Sequence, residues 1–185
     1  MVLRARDRLI DSTIELIATN GVAGTGISEL IEHSDVSRRS LYVNFPGGKS
    51  ELMADAAKSA GKTMTDLLSD LVSEARVDAA LPAFGSWWAE TLRASGFTRG
   101  CPMVAAILGR AEAPDAADAA RATLNDWVDV IKARLEMDGI DVAESRSLAV
   151  TIVAGIEGAV LMCLAEQSVE PLDQAVRQLT RLAAM

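Results

Sequence analysis

Histidine occurs once in this chain of 185 residues, tyrosine once, cysteine twice and proline five times, and aromatic residues make up only 4%. The single histidine, His33, cannot build a metal-ligand cluster, and no serine or cysteine sits in a recognisable nucleophile context. Enzymatic readings are therefore weak. Cys101 and Cys163 stand 62 positions apart, a spacing that fits neither a disulfide framework nor a zinc site. There is no alternating run of β-branched residues, so a sheet has little to build on. Alanine, leucine and charged residues dominate instead, and these favour helix. An excess of positive charge, the usual sign of a nucleic-acid binder, is also missing, because the formal net charge is −8.

The distribution of charge says more than its sum. Residues 1–50 carry six basic and six acidic side chains, whereas residues 51–185 carry twelve and twenty. The acidic excess thus belongs to the second part, which can face away from a polyanion and discourage non-specific adhesion. Across residues 33–50, Arg38, Arg39 and Lys49 are opposed only by Asp35. The longest apolar stretch, from Leu148 to Leu164, is short for a membrane span and carries Glu157 near its middle together with Gly155 and Gly158. A buried helix fits it better. The charged start R-A-R-D-R does not read as a signal peptide, so the expectation is a cytoplasmic protein without a membrane partner. Half the residues are hydrophobic, enough for a sizeable core shared by one large domain or two small ones.

The densest information lies between Thr25 and Leu52, which reads as two short helices and the start of a third. Ile27, Leu30 and Ile31 give the first helix an apolar face, and His33-Ser34-Asp35 breaks it. Val36 plugs the turn. Ser37 suits the N-cap of the next helix, because its hydroxyl can accept from the orphan N–H groups of the first turn. Leu41 and Phe45 lie four residues apart on one inward face, leaving Arg38, Arg39, Ser40, Tyr42 and Asn44 on the others. So short a helix gains little stability alone, and its polar face points to a partner. This is the plan of a helix-turn-helix DNA reader. The same pattern would also fit a solvated face on a small helical domain. Gly48-Lys49-Ser50 does not make a nucleotide-binding loop, since Val43 stands where that motif needs glycine and no strand precedes it.

The segment S-R-R-S-L-Y-V-N-F-P-G-G-K-S-E-L, the apolar helix before it and an N-terminal amphipathic helix ending in Asn20-Gly21 resemble the tetracycline-repressor-like (TetR) transcriptional regulators. The resemblance is close over residues 1 to about 60. F-P-G-G-K, with Gly100-Cys101-Pro102, is most similar to the LmrA/YxaF-type and multidrug-efflux branch. It implies an all-α chain of about nine helices, with a three-helix helix-turn-helix domain over 1–48 and a ligand-binding and dimerisation domain over 49–185. It implies a DNA-contacting set of Thr25, Ser37, Arg38, Arg39, Ser40, Tyr42, Asn44 and Lys49. Arg39 and Ser40 match positions that face bases, and Tyr42 and Asn44 match positions that touch phosphates. Lys49 matches a basic clamp at the start of the fourth helix, and Thr25 a residue that meets the DNA backbone. Asp35 stands where the family often has glycine; aspartate tolerates the left-handed conformation better than most residues.

Hydrophobic periodicity predicts helices from Leu3 to Thr19, Lys49 to Ser73, Asp78 to Ala94, Met103 to Arg110, Pro114 to Met137, Val142 to Glu166 and Pro171 to Ala184, besides the two reader helices. Large apolar side chains concentrate on the fifth to eighth helices. Phe84, Trp87, Trp88, Met103, Trp127, Ile131 and Met162, with Phe97 and Leu108, are the candidate lining of a pocket for a small organic effector, with Glu157 as its polar contact. An ordinary helical core would show the same residues. Ser147, Thr151, Ala154, Gly155, Gly158, Ala159 and Met162 form a small-residue stripe, and Leu172, Val176, Leu179 and Ala183 a second at helical spacing. By resemblance these two helices pair with their mates in a homodimer, although both stripes could pack within one chain. Cys101, beside Arg99, is a candidate redox switch or a small buried residue. No cofactor is implied. The reading is a ligand-responsive regulator, a repressor released from a palindromic operator in double-stranded DNA. The alternative is a small-molecule- or redox-sensing helical module without specific DNA recognition, which a gel shift with the native upstream region separates.

Overall fold

The computed structural model describes residues 4–185, and among these it contains nine α-helices and no strand. They are α1 (Ala5–Asn20), α2 (Ile27–Ser34), α3 (Arg38–Asn44), α4 (Gly48–Glu74), α5 (Val77–Ala94), α6 (Pro102–Leu108), α7 (Pro114–Met137), α8 (Val142–Glu166) and α9 (Glu170–Ala183). The expected start of the first helix at Leu3 lies outside the described residues. Local chemistry explains most boundaries. Gly21 takes a φ of 71° and stops α1. Glu29 accepts from the Gly26 N–H at the start of α2, and Asp141 accepts from the Ala143 N–H at the start of α8. Proline opens α6, α7 and sits at the second position of α9, where its missing N–H is no loss.

The helices pack as two compact units, the first made of residues up to 63 with 101–123, the second of residues 64–100 with 124–185. This is not a linear division at residue 48. α6, packed on α1, and the first part of α7 belong to the same unit as the reader helices, and α4 and α7 each run from one unit into the other. The core of the first unit gathers Leu9, Ile10 and Leu16 of α1 with Leu30, Val36, Leu41, Phe45 and Leu52. Arg6 locks it from outside, with its guanidinium 4.9 Å from the centroid of the Phe45 ring and ion-paired to Asp55 of α4.

In the second unit α9 packs against both α5 and α8. Its apolar stripe Leu172, Val176, Leu179 and Ala183 is buried within the chain. A Cβ on Gly85 of α5 would come within 2.7 Å of Val176, and one on Gly155 of α8 within 3.1 Å of Leu179. Leu172, Val176 and Leu179, expected at a dimer interface, are packed within the chain, whereas Gly155, half-buried on α8, lies against Leu179. The physical reason is that α9 has one narrow apolar face, and its own chain already covers it. The other half of the expected interface is different. Thr151, Ala154, Gly158 and Met162 are exposed, with Val150 and Leu161 beside them. α8 is long and apolar enough to cross a membrane by length and composition, yet it packs here against α9 and α5.

Candidate nucleic-acid interface and core cavity

The reading helix α3 is set by the turn before it. Asp35 adopts φ 50°, ψ 42°, in the left-handed region. Arg8 of α1 holds it there, donating to the backbone oxygens of Ser34 and Asp35 and to the Asp35 carboxylate at 3.0 Å. The same contact offsets the negative charge that Asp35 brings to the reading side. Ser37 then caps α3, its Oγ accepting from the Ser40 N–H at 3.1 Å. Leu41 and Phe45 are fully buried, so the orientation of the helix is fixed from inside.

What remains outside is a basic and polar face. Arg38 and Arg39 are exposed. Arg38 reaches Ser28 of α2 at 3.5 Å, whereas Arg39 makes no hydrogen bond or ion pair with the described residues. Tyr42 is exposed, and its ring lies against the turn into α4: a Cβ on Gly48, at φ 68°, would sit 3.3 Å from it. Asn44 turns back, donating from Nδ2 to the Ser40 backbone oxygen at 2.8 Å. Lys49 is half-buried, with Nζ donating to the Val22 carbonyl at 3.3 Å. Thr25 is a correction. Its side chain is fully buried and its hydroxyl donates to the Gly21 carbonyl at 2.7 Å, so it braces the α1–α2 loop and presents nothing to a phosphate. Val43 was not among the expected contacts, yet it is 71% exposed on the same helix.

A cavity lies wholly in the second unit, between α4, α5, α7 and α8. Of the expected pocket residues it brings together Phe84, Trp127, Ile131 and Glu157, and adds Met64, Leu68, Leu71, Val77, Leu81, Ile152 and Ile156 among others. Trp127 is oriented by its indole N–H, which donates to Thr65 at 3.0 Å. Glu157 is the one charged side chain in the lining. The remaining expected residues fall elsewhere, which corrects their assignment. Met103 is buried in the first unit on α6, and Met162 is exposed on the outer face of α8. Trp87 and Trp88 pack edge to face, with ring centroids 5.1 Å apart, and are not part of the cavity lining; the buried Trp88 indole N–H has no hydrogen-bond acceptor among the described residues. Phe97 and Leu108 also lie off it. Periodicity places a residue on an inward face but does not say which of several inward-facing clusters it joins. The cavity holds only about 30 Å³, roughly the share of one water molecule in the liquid.

Both cysteines are buried. Cys101 opens α6 as its N-cap residue, and burial pushes the Cys163 thiol above its ordinary range, keeping it protonated.

A helix-turn-helix whose second helix exposes two arginines, on a chain that is otherwise acidic, defines a DNA-binding transcriptional regulator. Comparison with known proteins gives the family. Residues 9–56 match the profile of the bacterial regulatory proteins of the tetR family. Residues 77–178 match the C-terminal domain of LmrA/YxaF-like transcriptional regulators. A helix-turn-helix-type transcriptional regulator of Mycobacterium tuberculosis (strain H37Rv) is 31% identical over 186 residues, spanning 96% of this chain and 93% of that protein. The regulator LmrA of Bacillus subtilis is 25% identical over 172 residues, spanning 91% and 90%. The regulatory protein TetR from Rhodobacter sphaeroides shares the fold with a TM-score of 0.84 at 23% identity, covering 96% of this chain and 97% of that one. A TetR transcriptional regulator from Legionella pneumophila does so with a TM-score of 0.87 at 18% identity, each chain 98% covered. The chain belongs to the TetR family of transcriptional regulators, with an LmrA/YxaF-like C-terminal domain. Regulators of this family bind DNA and are generally dimers.

Proposed function

We propose that this protein is a homodimeric repressor that holds a palindromic operator and releases it when a small lipophilic effector enters the cavity of the second unit. In functional terms, residues 1–48 read DNA and residues 49–185 sense and dimerise. The carrying observation is α4. It starts beside the reading helix with Lys49 and runs on to contribute Met64, Leu68, Leu71 and Val72 to the cavity lining. The cavity as it stands is too small for an organic molecule, because ligand pockets measure on the order of 300–1,000 Å³. An effector must therefore part the helices that line it. The apolar lining with Glu157 as its single charge favours a lipophilic compound carrying one cationic or hydrogen-bond-donating group. Such a compound favours the opened arrangement, and the two-state equilibrium shifts away from the DNA-binding form by its difference in affinity for the two states.

For the dimer, the exposed apolar face of α8 is the candidate contact, formed by Val150, Thr151, Ala154, Gly158, Leu161 and Met162. A two-fold pairing through it would place two copies of α3 on one body, which requires an operator of matching symmetry. The test is fluorescence anisotropy with a labelled operator and a panel of lipophilic amines and neutral analogues. The proposal expects amines to release the DNA, and to do so less effectively in Glu157→Gln. If no compound that stabilises the protein against heat also weakens operator binding, the effector-released repressor is wrong.

A further inference from the structure

Val43 has no structural reason to be valine. Among the described residues of α1 to α3, only Tyr42 and Val43 are large exposed apolar side chains, and Val43 is the more exposed at 71%. The ring of Tyr42 rests against the turn at Gly48. None of the described residues covers Val43. A β-branched residue is also a poorer helix former than alanine, arginine or lysine, and in a helix of seven residues that cost is not offset by packing. Its place on the helix supplies the reason. Val43 is four residues after Arg39, so the two share a face and stand roughly 6 Å apart along the helix axis. In the major groove the bases present donors and acceptors, and thymine alone adds an apolar group, the C5-methyl. A face with one free guanidinium and one free isopropyl group matches guanine and thymine edges, and a 6 Å separation spans about two base steps of about 3.4 Å each.

We propose that Val43 reads the methyl group of a thymine in each operator half-site, about two base pairs from the base that Arg39 contacts. The inference rests on α3 being the DNA-reading helix. It adds a sequence-determining contact that is apolar and carries no charge.

The experiment uses the full-length protein and an operator obtained by selection from random duplex DNA. Each thymine is replaced in turn by deoxyuridine, which removes only the methyl group. Wild type is expected to bind about four-fold more weakly when one particular thymine per half-site is replaced, the value of one methyl group taken out of water. Replacement in both half-sites is expected to weaken binding about fifteen-fold. Val43→Ala should bind the unmodified operator more weakly by a similar factor and be indifferent to deoxyuridine at that position. Its melting temperature should equal or slightly exceed that of wild type, since alanine is the better helix former, and the salt dependence of its binding should be unchanged, which separates a lost base contact from a damaged fold. The proposal is overturned if no deoxyuridine position weakens wild type, or if the sensitive position affects Val43→Ala equally. If selection recovers no preferred sequence, it is the DNA-reading role of α3 that fails, and this inference with it.

Discussion

Arg39 and Lys49 are both basic, but the chain treats them differently. Arg39 has no hydrogen-bond or ion-pair partner among the described residues, whereas the Lys49 ammonium already donates to the Val22 carbonyl. An unengaged guanidinium is ready to meet a base edge bidentately; a tethered ammonium acts as a point charge on a phosphate. Arg39→Ala is expected to weaken operator binding by roughly 1–3 kcal/mol and to relax the preference at one position of each half-site. Lys49→Ala is expected to weaken binding to all duplexes alike and to lower the slope of log affinity against log salt by about one. Titrations of operator and scrambled duplex at several salt concentrations read both effects. Equal losses on both duplexes for Arg39→Ala would place that side chain on a phosphate instead. The residues legible in the sequence were those decided locally, such as the Ser37 cap and the left-handed Asp35. Thr25 was misplaced because its hydroxyl is taken by a carbonyl four residues back, a contact made by the loop path and not by the motif. The sequence pattern does not single out Val43, because a valine amid Leu41 and Phe45 suits a core position as well as an exposed one.

At the scale of elements, α8 and α9 show how one periodic pattern serves two ends. Both helices carry stripes that repeat at helical spacing, and a stripe does not reveal whether its cover is the same chain or another. The spacing was therefore enough to place every helix to within a few residues, yet not to assign its partner. Leu179→Ala should cost about 2–5 kcal/mol of stability, as a fully packed leucine removed from the core of the second unit. Thermal or denaturant unfolding measures this. Gly158→Leu is the contrasting case. A Cβ there meets nothing within 4 Å, so the single chain accepts it. Removing a mid-helix glycine should even stabilise the chain, by up to about 1 kcal/mol. In sedimentation velocity the same variant should shift from dimer toward monomer and lose most operator affinity. A Gly158→Leu protein that stays dimeric and binds DNA normally would move the interface off this face of α8. Glu136 adds a pH-sensitive tie between α7 and α8. A hydrogen bond from Lys132 holds its carboxyl below the ordinary range, and Ser145 of α8 donates to it. A depressed carboxyl contributes stability fully above its unfolded pKa of about 4.3 and loses it as pH falls through the folded value. Glu136→Gln should flatten that part of the acid limb in unfolding measured from pH 6 down to pH 3.

For the whole molecule, the proposed release mechanism links the small cavity to α4, which begins next to the reading helix and contributes to the cavity lining. Under that proposal the effector widens a space of about 30 Å³ as it enters. Binding only the opened, folded form at about 100 times the dissociation constant would add roughly 2.7 kcal/mol of stability, visible as a rise in melting temperature. Trp127→Ala should change that response while leaving effector-free DNA binding in place, because Trp127 lines the cavity in the second unit. The identity of the cavity was only half legible beforehand, since which inward faces converge depends on how α4, α5, α7 and α8 cross. A two-fold DNA reader built from two copies of α3 is put to the test by selecting bound duplexes from random DNA with the purified protein. The expected result is one enriched sequence of two inverted half-sites, their centres separated by one helical turn of about 10–10.5 base pairs or a multiple of it. Recovery of no preferred sequence, or of a single asymmetric site bound by one chain, would contradict it.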